Sequence, residues 1–200
     1  SVMMDGSLGE DGKTPMDFEY NVAVTKTAVA MAHACGVSVE GEIGCLGSLE
    51  TGMAGEEDGI GAEGVLSMAQ MLTDPQEAED FVNATGVDAL AISAGNVHLS
   101  TEKTTEIDFD MVRRIEAVNH SPLVLHGGSG IPPAIRRRLA RETRVKKFNI
   151  GTELRMAFGA ALRKSLADHP DVFDRLQLLG NTIAPLKAEA RAVMSALAEE

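Results

Sequence analysis

PLVLHGGSG, residues 122–130, is the stretch on which the reading of the fold turns. The aliphatic run Leu123, Val124, Leu125 behind a proline predicts a short strand covered on both faces, as strands of parallel sheets are. His126 then stands where the strand ends. The glycines after it let backbone come closer to a ligand than any Cβ would allow, which suits a ligand aimed at something the turn also holds.

The same alternation runs through the chain. SVMM (1–4) predicts a strand and NVAVTKTAVAMAHACG (21–36) a helix stopped by Gly36. VSVEGEIG (37–44) predicts the next strand, and an acidic, glycine-rich loop from Cys45 to Gly64 follows it. TDPQEAEDFVNATG (73–86) carries Asp74 as a cap, Pro75 in the first helical turn and Gly86 at the close. VDALAISAG (87–95) reads as a strand, DFDMVRRIEAV (108–118) as a helix, PPAIRRRLARE (132–142) as a helix and VKKFNIG (145–151) as a strand. TELRMAFGAALRKSLADHP (152–170) is a helix ended by Pro170, and after an irregular join residues 185–200 are helical. The Asp168–His169 pair near that proline reads as a helix-end region, and His33 and His120 as structural or solvated groups.

Five strand–helix units imply an α/β fold with a parallel sheet covered by helices. Asp5, Glu42, His98, His126 and Asn149 all fall at the C-terminal ends of strands. An open doubly wound sheet gathers its site at a switch point, whereas a (β/α)8 TIM barrel gathers it on one rim from many strands. Candidates on every strand favour the barrel, of which residues 1–200 would supply about the last five units as a single domain; since a closed barrel needs eight strands, either three units are missing from this chain or the fold is open.

The bulk composition bounds the partners. Two hundred residues with 44% hydrophobic content suffice for one core. Eighteen basic against 30 acidic residues, a net charge of −12, argue against a nucleic-acid or anionic-membrane surface. Cys35 and Cys45 are too few for a disulfide framework, and no apolar run is long enough to span a bilayer. With no basic segment at the start, these features predict a cytoplasmic protein.

His98 and His126 leave adjacent strands on one rim, and imidazoles so placed suit a zinc ion. Glu40 and Glu42 alternate with glycine and so face the same side of their strand. Buried carboxylates need a cation or donors. For Glu40 a salt bridge inside the barrel and a metal role weigh about equally, while Glu42, nearer the rim, is the better metal candidate. GEEDG (55–59) reads either as a solvated loop or as a flexible segment delivering a general acid or base. HGGSG and NIGT (149–152) follow consecutive strands, an arrangement that in barrels makes a phosphate site from backbone amides.

SVMMDGS, GVSVEGEIGCLGSLETGMAGEEDGIGAEG, LTDPQEAEDFV, TGVDALAISAGNVH, PLVLHGGSG and FNIGTELR, in this order, resemble the class II zinc-dependent fructose-bisphosphate and tagatose-bisphosphate aldolases. The resemblance implies a (β/α)8 barrel, dimeric or tetrameric, acting on a phosphorylated ketose through a dihydroxyacetone phosphate enediolate. It makes His98 and His126 zinc ligands and puts Asp5 and Glu42 at an alternate or second cation position. Glu57 becomes the proton-handling carboxylate of a mobile loop. Leu99, Gly127, Gly128 and Ser129, with Asn149, Ile150, Gly151 and Thr152, take the positions that hold dihydroxyacetone phosphate, and Asn149 also faces the developing oxyanion. Two departures stand out. The family's Asp-His pair belongs to a strand before SVMMD, so this segment alone is expected to be inactive. HLSTEKTTE replaces a glycine and a lysine-bearing AYK segment, so Leu99 brings a side chain where backbone approach is expected. Two rival readings are a Schiff-base aldolase using Lys146 or Lys147, placed at a strand's beginning and read as solvated, and a non-catalytic barrel piece that acts by association.

Overall fold

A computed structural model of the chain describes residues 1–11, 14–44, 72–96 and 100–198. Five parallel strands lie side by side in chain order: β1 (Val2–Met4), β2 (Val39–Ile43), β3 (Ala89–Ile92), β4 (Leu123–Leu125) and β5 (Val145–Phe148). The connecting helices are α1 (Phe18–Ala34), α2 (Pro75–Thr85), α3 (Phe109–Val118) and α4 (Pro133–Glu142), followed by α5 (Thr152–Asp168), α6 (Arg175–Gly180) and α7 (Ile183–Ala198). Strand order never reverses, so the sheet has no switch point, the order that successive units of a (β/α)8 barrel have and a doubly wound sheet does not.

Local chemistry explains the boundaries. Asp74 accepts hydrogen bonds from the amides of Gln76 and Glu77, Pro75 opens α2, and Gly86 closes it at φ 74°, a left-handed position that glycine occupies without strain. Asp108 and Asp17 cap α3 and α1 in the same way. Several expectations are corrected. α1 begins at Phe18 because Asp17 caps it, ahead of the first apolar repeat. The strands are shorter than their apolar runs: β3 stops at Ile92, where Thr73 and Asn96 take over its outgoing amides. α6, absent from the expected elements, forms behind its Asp174 cap.

The helix-side face of the sheet holds the core. Val39, Ile43, Leu90, Ile92, Leu123, Leu125 and Val145 pack there against Phe81, Val112, Ile115 and Leu139. Gly41 is small for a reason: a Cβ on it would come within 2.7 Å of the Phe81 ring and 2.9 Å of Val87. The glycine between the two glutamates thus lets α2 settle on β2. Residues of opposite parity face the barrel interior, where Glu42 is in register with Ala91, Ala91 with Val124 and Val124 with Lys147. Among the described residues, no helix is long and apolar enough to cross a membrane.

Candidate active site

The interior face brings three buried polar groups together. Glu40 and Glu42 project from β2, and His126 follows β4 two residues beyond Val124, on the same side. Ala91 and Val124 lie between them in the ladder, and the small alanine leaves room for carboxylate and ring to meet above β3. His126 Nε2 is 2.8 Å from Glu40 Oε1, and Nδ1 is 3.0 Å from Glu42 Oε2. The other Glu40 oxygen accepts a hydrogen bond of 2.5 Å from Lys147 Nζ.

Lys147 stays half-exposed, as a solvated lysine would, and that contact gives it a carboxylate partner. The pairing of β4 with β5 is irregular between Leu123 and Val124, which skips Lys146 and turns Lys147 inward. Lys146 does stay outside, donating to the carbonyls of Ala140 and Thr143. An ammonium committed to Glu40 is a poor nucleophile, which weakens the Schiff-base alternative.

Burial and pairing set the charges. Burial works against a charged His126, but the hydrogen bonds and charges of Glu40 and Glu42 outweigh it and push its pKa up to about 10. Burial also raises Glu40, yet its bonds to His126 and Lys147 hold the carboxyl below its usual value. For Glu42 burial prevails, with the nearby charges of Asp5 and Glu40 adding to it, and its pKa is raised despite the bond to His126. The rim side of the cluster is therefore short of positive charge.

Two buried asparagines position these groups. Asn21, on α1, accepts from the Gly6 amide at 3.1 Å and donates to the Glu42 carbonyl at 2.9 Å, tying the loop after β1 to the end of β2. Asn96 accepts from the Ala94 amide and donates to the carbonyls of Ile92 and His126, clamping the ends of β3 and β4 together. Asp5 directly follows β1, and its carboxylate accepts from the Ser7 amide. Sequence reasoning missed both asparagines and the Lys147 contact.

Beside the cluster, Gly127 adopts φ 63° and leads into a single 3-10 turn, Gly128–Gly130. Gly128 donates to the Asn149 carbonyl at 2.9 Å, and the Asn149 amide donates to Leu125. Ser129 Oγ accepts from the amide of Glu153 in the first turn of α5. The loops after β4 and β5 are thereby joined into one edge, with Ile150, Gly151 and Thr152 leading into the N-terminus of α5. The first-turn amides of a helix lack intrahelical acceptors, and the helix dipole favours an anion there.

His126 and Glu42 are thus brought together and Asp5 lies within their electrostatic reach, while His98, Leu99 and Glu57 lie outside the described residues. Among the described residues alone, no group of three His, Cys, Asp or Glu side chains is arranged to hold a metal ion. The donor set present nonetheless suits a zinc ion. Ligands held about 2.0–2.2 Å from zinc in a tetrahedron lie roughly 3.3–3.6 Å apart, so the 3.0 Å between Nδ1 and Glu42 Oε2 would have to open by a few tenths of an ångström to admit the ion. The carboxylate on Nε2 is the outer partner that metal-binding histidines characteristically have.

A fructose-bisphosphate aldolase from Pseudomonas aeruginosa is 48% identical over 213 aligned positions, covering 94% of this chain and 60% of that protein. The plasmid-encoded fructose-bisphosphate aldolase of Cupriavidus necator is 50% identical over 200 positions, covering 87% of this chain and 58% of that protein. Among solved structures, the YdjI aldolase from Escherichia coli K12 superposes with a TM-score of 0.66 at 29% identity, covering 98% of this chain and 58% of that one. The chain therefore spans about 60% of the length of the curated relatives it matches. The model of the class-II fructose-bisphosphate aldolases matches residues 1–200, and the chain belongs to that family.

Proposed function

We infer that the protein carrying this chain is a zinc-dependent aldolase that cleaves and re-forms a ketose bisphosphate, fructose 1,6-bisphosphate or tagatose 1,6-bisphosphate, through the enediolate of dihydroxyacetone phosphate. One observation carries the reading: a buried imidazole wedged between two carboxylates, beside two glycine-rich strand ends joined into one edge. A divalent cation at His126 and Glu42, with His98 and in an alternate position Asp5, supplies a Lewis acid for charge developing on substrate oxygens.

The chain's own residues do the rest. The Gly127–Ser129 turn and the Asn149–Thr152 segment bind the substrate phosphate, with the Gly128 and Asn149 amides bracing the two loops and the other amides of these segments facing the anion, and that binding energy orients the reacting carbons. The family resemblance assigns Leu99 to the same substrate position. Asn149 donates a hydrogen bond toward the oxygen that gains charge. Glu57, arriving on its loop, moves the proton. Glu40 and Lys147 hold the His126 ring in place. A subunit assembled as a dimer or tetramer and working in the cytoplasm completes the reading.

The test uses the full protein. Cleavage of fructose 1,6-bisphosphate that stops in chelator, returns with zinc and leaves no borohydride-trapped substrate on lysine supports the proposal. Chelator-resistant activity with a trapped lysine adduct overturns it in favour of the Schiff-base chemistry.

A further inference from the structure

Arg136, on α4, is 2% exposed. Its Nη1 lies 3.0 Å from Glu153 Oε1, and among the described residues neither atom has a hydrogen-bond partner. The second Glu153 oxygen accepts from Lys103 Nζ at 2.8 Å, and the Glu153 amide donates to Ser129 Oγ. One residue of the first turn of α5 thus holds α4, the loop after β3 and the Gly128–Gly130 turn at once.

The loop after β3 needs such a hold. Residues 100–107 run directly from the segment that carries His98 and lie over the glycine turn. The Thr105 amide donates to the Gly130 carbonyl, and a Cβ on Gly130 would fall 2.5 Å from Thr105 Oγ1 and 2.7 Å from Ser100 Cβ. The fit is close enough that a small shift of the loop displaces the turn. A carboxylate at this place is also electrostatically wrong for an anion edge, unless it is there to be gripped by the two cations beside it.

We propose that Glu153, held between Arg136 and Lys103, is a positioning residue that fastens the β3–α3 loop to the glycine turn and thereby sets the shape of the phosphate edge. The inference rests on the anion-binding role proposed above for that edge. It also makes a distinctive demand on sign. If Glu153 acted only through its charge, removing that charge would strengthen anion binding by the adjacent amides. As a fastener, its removal weakens binding.

The experiment measures inorganic phosphate binding by titration calorimetry, together with hydrogen exchange at the Thr105 amide, in the full protein and in Glu153→Gln. The expected result is phosphate affinity lowered about tenfold, as misplaced binding groups cost, with faster Thr105 exchange in the ligand-free protein. Unchanged or tighter phosphate binding with Thr105 as protected as in the parent overturns the proposal. Should Glu153→Gln fail to fold with Arg136 left unpaired, Lys103→Met, at a half-exposed position, is expected to fold and to speed Thr105 exchange. Unchanged exchange in that variant is equally fatal. A parent that binds no phosphate refutes the phosphate edge, while the exchange measurement still decides whether Glu153 fastens the loop.

Discussion

Replacing Asn21 by leucine tests whether the site is held together by a single buried amide. The side chain is 6% exposed and makes two bonds that no other described group replaces: it accepts from the Gly6 amide at 3.1 Å and donates to the Glu42 carbonyl at 2.9 Å. Both partners are buried, so water does not satisfy them once the amide is gone. The third bond, from the Thr25 hydroxyl, is dispensable because that hydroxyl can turn to the carbonyl one helical turn back. Leaving one buried donor and one buried acceptor unpaired costs about 1–3 kcal/mol each, for a total of roughly 2–6 kcal/mol. Leucine fills the volume, so a cavity contributes little. Urea denaturation of the full protein should show a lower midpoint with an unchanged slope, since the loss is in stability and not in exposed surface. Zinc affinity should fall as well, because the loop that carries Asp5 loses its tie to Glu42. A destabilisation below about 1 kcal/mol would refute the reasoning, since it would mean that both orphaned groups find water or a new partner.

Glu40→Gln removes the carboxylate that holds Nε2 of His126 and should lower zinc affinity about 10- to 100-fold, read by competition with a chromophoric chelator; an unchanged constant would show that the ring needs no such anchor. Gly128→Ala introduces a Cβ 2.9 Å from Ile150 Cδ1 and 3.0 Å from the Asn149 carbonyl, and because the latter is backbone it should cost about 1–3 kcal/mol and raise KM more than it lowers kcat. Asp88 accepts from His33 Nε2 at 2.8 Å and from the Val39 amide at 2.7 Å, and the His33 bond first, then the Val39 amide, holds its carboxyl below the usual value. A carboxyl lowered by folding stabilises the protein above its unfolded pKa of about 3.9 and loses that contribution as pH falls through the folded value. Asp88→Asn should therefore lower Tm at pH 7 and narrow the gap to the parent as both are acidified below about pH 4, and a constant gap would contradict the linkage.

Much of the architecture is legible because its causes are local. Asp74, Pro75 and Gly86 mark both ends of α2 by cap chemistry alone. The Glu-Gly-Glu alternation shows in advance that both carboxylates share a face, and the salt bridge weighed for Glu40 is present. The rest depends on distant neighbours. Lys147 turns inward only because the ladder slips beside Val124, an irregularity of pairing with no mark in the sequence of β5 itself. Asn21 and Asn96 bond mainly to backbone carbonyls and amides of other strands, and such partners have no sequence signature. Arg136 sits in a run of three arginines, and its burial follows from sharing the helix face of Leu139, three residues on. That spacing is its mark in the sequence, a weak one because arginines are as a class mostly exposed.

The order of charges across the interior face gives the cluster a direction. Lys147 meets Glu40, Glu40 meets His126, His126 meets Glu42, and Glu42 feels Asp5. At the Lys147 end each charge has an opposite neighbour, and the Glu40 carboxyl lies below its usual value. At the rim Glu42 has only the imidazole it shares with Glu40, and burial, with repulsion from Asp5 and Glu40, raises it. Protonating Glu42 is one way to relieve that imbalance, and binding a cation is the other. The cation relieves it more completely, because it interacts with both carboxylates and takes the place of the proton on Nδ1. Placing the balanced pair inside and the unbalanced pair at the mouth directs the site's demand for positive charge to the place where the glycine turns would present a phosphorylated substrate.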